Sequence, residues 1–219
     1  MDLAAPIQCS IIFQRMFDYT KTSDGEYLCS YLFTRLVDSG FWNRFQSKHL
    51  LPTGRPAEFR TFFQQGLALN LVRRLILAGE QARHYLDPSE PGFLSYLDPF
   101  IDKWGLRNID GRGQLVRLVR GSVVASNHAI SESLRQHLLQ WARSEHRHCY
   151  MCGSILNFSV RPGVPQYNDI TLDHLWPQAY GGDSVEDNIL PACRSCNHEK
   201  KQDYPSWAGC NVHTLHRPA

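Results

Sequence analysis

The 219-residue sequence lacks the features that would tie it to a membrane or to an export pathway. No apolar run approaches the roughly 18–20 residues that a membrane-spanning helix needs. The first residues, MDLAAPIQCSIIFQRMF, contain no basic leader followed by a sustained apolar stretch, as a secretory signal would. These two absences predict a cytoplasmic protein that does not associate with membranes.

The sequence also lacks a strong excess of charge of one sign, because 23 Lys and Arg oppose 21 Asp and Glu. Residues 141–219 carry 7 Lys and Arg against 8 Asp and Glu, yet they hold 6 of the 10 histidines. The overall charge of +2 therefore does not by itself indicate a nucleic-acid-binding protein. A nucleic-acid partner would have to bind a local basic patch.

Residues 1–145 have the apolar periodicity of helices. Helices are predicted over 26–38, 56–78, 93–104 and 129–146. The sequence contains no internal repeats and no low-complexity tracts. The helical periodicity of residues 1–145 predicts that they form a mostly helical domain. After residue 146 the helical period stops and Cys, His, Asn, Gly and Pro become dense, which predicts a second domain over 146–219.

One arginine-rich stretch interrupts the helical region. Residues 105–121, GLRNIDGRGQLVRLVRG, contain four arginines, including Arg112 and Arg117, with four glycines. One interpretation is a loop and helix start that contacts phosphate groups. The alternative is a solvated turn that leads into an amphipathic helix, because local runs of charge usually face water.

Four of the seven cysteines form two CxxC pairs, Cys149 with Cys152 and Cys193 with Cys196. In a chain without an export signal, paired CxxC turns are more typical of metal ligands than of disulfides. Two such turns supply the four thiolates of a tetrahedral zinc site. The pairs therefore predict a structural zinc ion, the alternative being two buried CxxC turns without metal.

The 40 residues between the two CxxC pairs contain a second pattern. Residues 169–175, DITLDHL, alternate in polarity as a strand does. Gly181-Gly182-Asp183 predicts a turn, Asn188-Ile189-Leu190 predicts a second strand, and a helix is predicted to begin at Cys196. The resulting order is strand, loop, strand, helix, with the cysteines joining the start of the hairpin to the start of the helix.

This ordered set of motifs resembles the HNH nuclease family, also called ββα-metal nucleases, over roughly residues 146–205. The resemblance is carried by a CxxC pair, Asp173-His174, a proline, Gly-Gly, Asn188, and a second CxxC pair followed at once by Asn197. It implies a small zinc-stabilised nuclease domain, which together with the helical pattern of residues 1–145 predicts an α+β fold with a largely helical N-terminal region. It also implies a divalent-metal-dependent endonuclease.

The resemblance implies a role for each residue of the motif. His174 would be the general base that accepts a proton from the attacking water. Asp173 would bind a catalytic Mg²⁺ or Mn²⁺ ion, with Asn197 as the second protein ligand. Asn188 would orient His174 or brace its loop. The family name implies a histidine where Asn197 stands, so His198 is the alternative ligand; neighbouring helix positions differ by about 100°, and only one can face the metal.

Two further expectations concern geometry and phosphate contacts. Neighbouring residues of an ideal strand face opposite sides, so Asp173 and His174 require a distorted strand end if both are to face one site. Basic side chains around the second CxxC pair are candidates for phosphate contacts, with solvated charge as the alternative: Arg194, Lys200 and Lys201.

The favoured function is cleavage of phosphodiester bonds in DNA, in the setting of a prokaryotic antiphage defence system. The helical region would then hold a protein partner or form a homodimer. One alternative is a restriction-type, site-specific HNH enzyme that uses residues 105–121 to grip DNA. The other is a non-catalytic, zinc-dependent nucleic-acid-binding module, which would not need a carboxylate, an imidazole and two amides at the motif positions.

Overall fold

The structure, a computed structural model, describes residues 23–48, 57–82, 91–106, 111–159 and 163–200. Within these ranges no helix is both long and apolar enough to cross a membrane. The chain divides into two compact units between Val123 and Val124.

The described part of the first unit is helical, as predicted. Its helices are α1 Asp24–Val37, α2 Ser39–Lys48, α3 Ala57–Gln81, α4 Pro91–Lys103 and α5 Arg112–Ser126, the last of which continues past the division. The helices predicted over 26–38, 56–78 and 93–104 correspond to α1, α3 and α4. The arginine-rich stretch contributes most of α5.

Helix α1 shows how the sequence pattern becomes packing. Ser23 precedes the helix, and its backbone N–H donates to the Glu26 carboxylate at 3.0 Å. This capping contact provides a partner for an N–H group that has none within the helix itself. Leu28, Leu32 and Leu36 recur at intervals of one turn and are fully buried. The three leucines belong to α1, which packs more extensively against α3 than against any other described helix. Burying one such side chain contributes roughly 1.5–3 kcal/mol.

Helices α3 and α5 approach closely at a glycine. A Cβ atom added to Gly79 would lie 2.6 Å from Val123 Cγ2 and 3.4 Å from Val119 Cγ1. A methyl group at this position would force the two helices apart, because protein interiors leave no spare volume to absorb it. Gly79 is therefore a packing requirement of the first unit.

The second unit begins at Val124. After the end of α5, its first helix is α6, Glu132–Ser144, which Ser131 caps by accepting a hydrogen bond from the Leu134 N–H. Helix α6 packs on the strand Ile189–Cys193. The domain boundary predicted near residue 146 coincides with the start of the Cys- and His-rich stretch. That the nuclease domain begins there remains a prediction.

Two antiparallel strands and a short helix follow. Strand β1, Ile170–His174, pairs with β2, Ile189–Cys193, in a register that runs from Ile170↔Cys193 to His174↔Ile189. Strand β2 leads directly into α7, Arg194–Lys200, which packs on both strands. The order of strand, loop, strand and helix confirms the predicted α+β fold with a small ββα unit.

The loop between the strands depends on its glycine pair. It contains two short 3₁₀ turns, Gln178–Tyr180 and Glu186–Asn188. Gly181 adopts a φ of 77°, in the left-handed region that favours glycine. A Cβ atom on Gly182 would lie 1.8 Å from the Trp176 carbonyl oxygen. The predicted Gly-Gly turn is thus fixed by a positive φ and by close backbone approach.

Candidate active site and metal centre

The four predicted zinc ligands converge. The sulfur atoms of Cys149, Cys152, Cys193 and Cys196 all lie within 4.8 Å of one another. Cys152 Sγ and Cys193 Sγ are 3.8 Å apart. A tetrahedral zinc ion with zinc–sulfur bonds of about 2.3 Å would place its sulfurs about 3.8 Å apart, so the distance between Cys152 Sγ and Cys193 Sγ fits this ion. Among the described residues, this is the one group of three or more His, Cys, Asp or Glu side chains that converges in this way.

The backbone explains why the sulfurs meet. In the first pair, the Gly153 N–H donates to the Cys149 carbonyl at 2.8 Å, and Gly153 takes a φ of 72° to close the turn. In the second pair, the Cys196 N–H donates to Cys193 Sγ at 3.4 Å. The Tyr150 N–H donates to the Pro191 carbonyl at 3.3 Å and thereby joins the first turn to β2.

The pKa values of three of the clustered thiols are shifted by burial and by their neighbours. Burial raises the pKa of Cys196, and its neighbours Cys193 and Cys152 raise it further. Burial also raises the pKa of Cys193, although the Cys196 N–H opposes this effect. For Cys152, burial is outweighed by hydrogen bonding, first from Ser154, and the pKa falls to about 7. A bound cation removes this conflict because thiolates are the form that coordinates metal.

The metal centre is also the hydrophobic core of this part of the chain. Cys149, Cys193 and Cys196 are buried together with Leu156 and Ala192. Several half-buried side chains pack against this cluster: Tyr150, Met151, Cys152, Phe158 and Ile170. So small a core supplies little stability by itself, and a metal ion held by the four cysteines would add to it.

Asp173 lies on β1 beside the metal centre. Its side chain is buried, and the Tyr150 hydroxyl donates to Asp173 Oδ2 at 2.5 Å. Because strand side chains alternate between faces, Asp173 shares a face of β1 with Thr171. Tyr150, located between Cys149 and Cys152, therefore links the cysteine cluster to the carboxylate.

The Asn197 side chain reaches the same face of β1 from α7. Its Nδ2 donates to Thr171 Oγ1 at 3.1 Å and to the Leu172 carbonyl at 3.2 Å. Thr171 donates its own proton to the Ala192 carbonyl at 2.9 Å, so it accepts from Asn197. The amide orientation is thus fixed by its partners, and Oδ1 is the atom that Asn197 can offer to a cation. His198, the alternative ligand, is exposed.

His174 occupies the end of β1. Its Nε2 lies 3.0 Å from Ser184 Oγ, in the loop between the strands. Regular pairing continues through His174↔Ile189, and the chain bends only from Leu175. The distortion expected at the strand end begins only after His174, so the side chains of Asp173 and His174 leave β1 on opposite faces.

Asn188 holds the backbone of the loop. Its Oδ1 accepts from the Trp176 N–H at 2.8 Å, and its Nδ2 donates to the Trp176 carbonyl at 3.1 Å. The same Nδ2 donates to the Asp183 carbonyl at 2.8 Å. The side chain is only 2% exposed. Of the two expectations for Asn188, its contacts are those of a loop brace and not of a direct partner of His174.

The basic residues proposed to contact phosphates have different surroundings. Arg194 is exposed at the start of α7. Lys200 is the last residue of α7, and Lys201 lies outside the described residues. On α5 of the first unit, Arg112 forms an ion pair with Asp98. Arg117 is 3.7 Å from Asp24, whose charge offsets that of the guanidinium.

Two contributors to the site were missed by the sequence analysis: Tyr150 and Ser184. Neither belongs to the ordered motif set. Tyr150 carried a weak signal, since it lies within a CxxC pair beside a predicted metal ligand. Ser184 carried none, because its contact with His174 spans a loop whose path depends on tertiary packing.

Comparison with known proteins agrees with this geometry. Residues 149–203 match the family described as HNH endonuclease, and the match includes both CxxC pairs, β1, β2 and α7. Neither the curated proteins nor the solved structures gave a match. An HNH domain indicates a role in nuclease action or nucleic-acid binding. Over residues 149–203 this chain is therefore similar to HNH endonucleases.

Proposed function

We propose that this protein is a divalent-metal-dependent endonuclease that hydrolyses phosphodiester bonds in DNA. The observation that carries the proposal is the shared face of β1. Asp173 shares that face with Thr171, and Asn197 is hydrogen-bonded to Thr171. The arrangement supports a cation site with two protein ligands, Asp173 and Asn197. This site is separate from the neighbouring cysteine cluster, where the proposed ion is a structural zinc.

The chemistry of the donors fits a hard cation. Asp173 offers a carboxylate oxygen, and Asn197 offers the amide oxygen that its hydrogen bonds leave for this purpose. Mg²⁺ and Mn²⁺ prefer oxygen ligands, and Mg²⁺ is commonly held by one or two protein groups with water and phosphate completing its shell. When bound, such an ion stabilises charge on the scissile phosphate and on the leaving 3′ oxygen.

His174 is proposed as the general base. Its ring accepts a proton from the attacking water, whose oxygen forms a bond to phosphorus as the bond to the 3′ oxygen breaks. Because His174 and Asp173 leave β1 on different sides, the scissile phosphate would lie beyond the strand end, in contact with both. Asn188 contributes by bracing the loop that follows His174.

The helical N-terminal region is proposed to bind a protein partner, to dimerise or to contribute to DNA binding. A cytoplasmic antiphage defence effector is the setting that we favour. One HNH domain per chain predicts nicking, unless two chains act together on a duplex. A site-specific restriction enzyme would differ in cutting only at a defined sequence.

The activity is tested with the full chain on supercoiled plasmid, linear duplex, single-stranded DNA and RNA, with Mg²⁺ or Mn²⁺ and with chelator. We expect metal-dependent DNA cleavage. Tight binding without cleavage under any of these conditions would overturn the proposal and support the zinc-dependent binding module. Preferential cleavage of RNA would overturn the choice of substrate.

The residues are tested by a matched pair of histidine variants. His174→Ala should lower the cleavage rate by about 100-fold or more, the usual contribution of a general base, while metal content and folding remain normal. His198→Ala removes an exposed imidazole from α7 and should leave the rate near that of the wild type. Equal effects of the two changes would refute the assignment of the base.

The cation ligand is tested at Asn197. Asn197→Ala should raise the Mg²⁺ concentration needed for activity, whereas Asn197→Asp keeps an oxygen ligand and should retain much of the metal response. If His198→Ala, and not Asn197→Ala, changes the metal requirement, the second ligand is His198.

A further inference from the structure

Ser184 connects the His174 ring to a backbone carbonyl that precedes α6. Its Oγ lies 3.0 Å from His174 Nε2 and 2.7 Å from the carbonyl oxygen of His128. We propose that Ser184 is a positioning residue, which fixes the tautomer and the orientation of His174. The tautomer is inferred from the contacts of the Ser184 hydroxyl, whereas its importance for cleavage rests on the proposed role of His174 as the base.

The protons available to these groups fix the direction of each hydrogen bond. A serine hydroxyl has one proton and two lone pairs, and a backbone carbonyl can only accept. The Ser184 proton is therefore directed to the His128 carbonyl. In its contact with His174, Ser184 must then accept, so Nε2 of the ring must donate. A neutral imidazole carries one N–H, which assigns the proton to Nε2 and the basic lone pair to Nδ1.

Gln178 strengthens this assignment. Its Nε2 donates to the same His128 carbonyl and lies 3.4 Å from Ser184 Oγ. An amide nitrogen only donates, so Gln178 offers Ser184 a proton and takes none from it. All three partners of the hydroxyl therefore favour one arrangement, in which it donates to His128 and accepts from His174.

The contact with His128 extends the surroundings of the proposed base beyond residues 149–203. His128 lies in the segment between α5 and α6, before the Cys- and His-rich stretch begins. Its carbonyl is nevertheless the group that orients the Ser184 hydroxyl. The machinery around the proposed base therefore includes residues outside the segment 149–203 that matches the HNH family.

The tautomer is tested by nitrogen NMR on the full-length protein labelled with ¹⁵N-histidine, at a pH where the imidazole is neutral. We compare the wild type with Ser184→Ala, with Ser184→Thr, which keeps a hydroxyl, and with Ser144→Ala. Ser144 also donates to a backbone carbonyl, that of Trp141, and serves as the matched control. His174→Ala identifies the His174 signals.

We expect wild-type His174 to show a protonated Nε2 and an unprotonated Nδ1. Ser184→Ala should give a mixture of tautomers and lower kcat about fivefold to tenfold, with little change in KM, as expected for the loss of one orienting hydrogen bond. Ser184→Thr should restore both readouts, and Ser144→Ala should change neither.

A wild-type ring protonated at Nδ1, or an unchanged tautomer in Ser184→Ala, would overturn the proposal even if the variant lost activity. Failure of the proposed function gives a different pattern. In that case the Nε2–H tautomer and its dependence on Ser184 would persist, while His174→Ala would leave cleavage unaffected.

Discussion

Removing the Tyr150 hydroxyl should weaken the response to the catalytic metal without displacing zinc. Tyr150→Phe deletes the group that donates to Asp173 Oδ2 at 2.5 Å and keeps the ring that packs against the cysteine cluster. The change therefore separates the orientation of the carboxylate from the integrity of the metal centre.

Two effects oppose each other in this variant. A carboxylate that loses a hydrogen bond attracts a cation more strongly, which would increase metal affinity. The same carboxylate also loses the contact that sets its direction. Removing hydrogen-bond partners of metal ligands typically lowers affinity or activity by about 10- to 100-fold, so loss of orientation should dominate. The corresponding free energy is about 1.4–2.7 kcal/mol.

The assay is plasmid cleavage at increasing Mg²⁺ concentration, with bound zinc measured in the same preparation. We expect the Mg²⁺ concentration for half-maximal rate to rise by about 10- to 100-fold, with unchanged zinc content. Tyr167→Phe is the control, because Tyr167 is also in the second unit but its side chain is 69% exposed.

A wild-type Mg²⁺ response in folded, zinc-bound Tyr150→Phe would refute the reasoning. It would mean that Asp173 is positioned by its strand alone or that it does not bind the catalytic metal. Loss of zinc in the variant would show instead that the hydroxyl supports the cysteine cluster.

Three further changes have distinct expected outcomes. Cys193→Ser should lose the zinc, measured as about one ion per wild-type chain, and unfold the second unit, because structural zinc can supply about 10 kcal/mol or more of apparent binding energy. Gly182→Ala should lower the free energy of unfolding by roughly 2 kcal/mol or more, since its Cβ would lie 1.8 Å from the Trp176 oxygen. Asn188→Ala should cost roughly 2–4 kcal/mol by leaving buried backbone groups unpaired, as measured by denaturant unfolding.

Each of these changes has a control of the same residue type. Cys29→Ser removes a buried thiol from the first unit and should leave zinc content unchanged. In Gly113→Ala the new methyl meets nothing within 4 Å, and Asn127→Ala changes an exposed side chain. A test variant that behaves like its control would contradict the corresponding structural argument.

The sequence was most informative where residue identity carries the chemistry. Thiol pairs separated by two residues can hold one tetrahedral ion in few arrangements, so Cys149, Cys152, Cys193 and Cys196 were predicted as one centre. The alternation around Asp173 and the Gly181-Gly182 turn predicted the hairpin, since strand period and positive φ are local properties.

The geometry around the proposed catalytic residues was less accessible to prediction. Asn188 was assigned two alternative roles, and only the packed loop shows that its amide contacts backbone groups of Trp176 and Asp183. The choice between Asn197 and His198 is supported by hydrogen bonds to β1, which no local pattern encodes.

By itself the sequence determined the fold class, the cysteine cluster and the order of the HNH motif, because these depend on side-chain type and on spacing along the chain. Only the tertiary structure decided that Tyr150 contacts Asp173 and that Ser184 links His174 to His128. The physical reason is distance along the chain. A hydrogen bond across 23 or 56 residues forms only after packing has closed the intervening loop, and any of several hydroxyl groups would have satisfied the same local pattern.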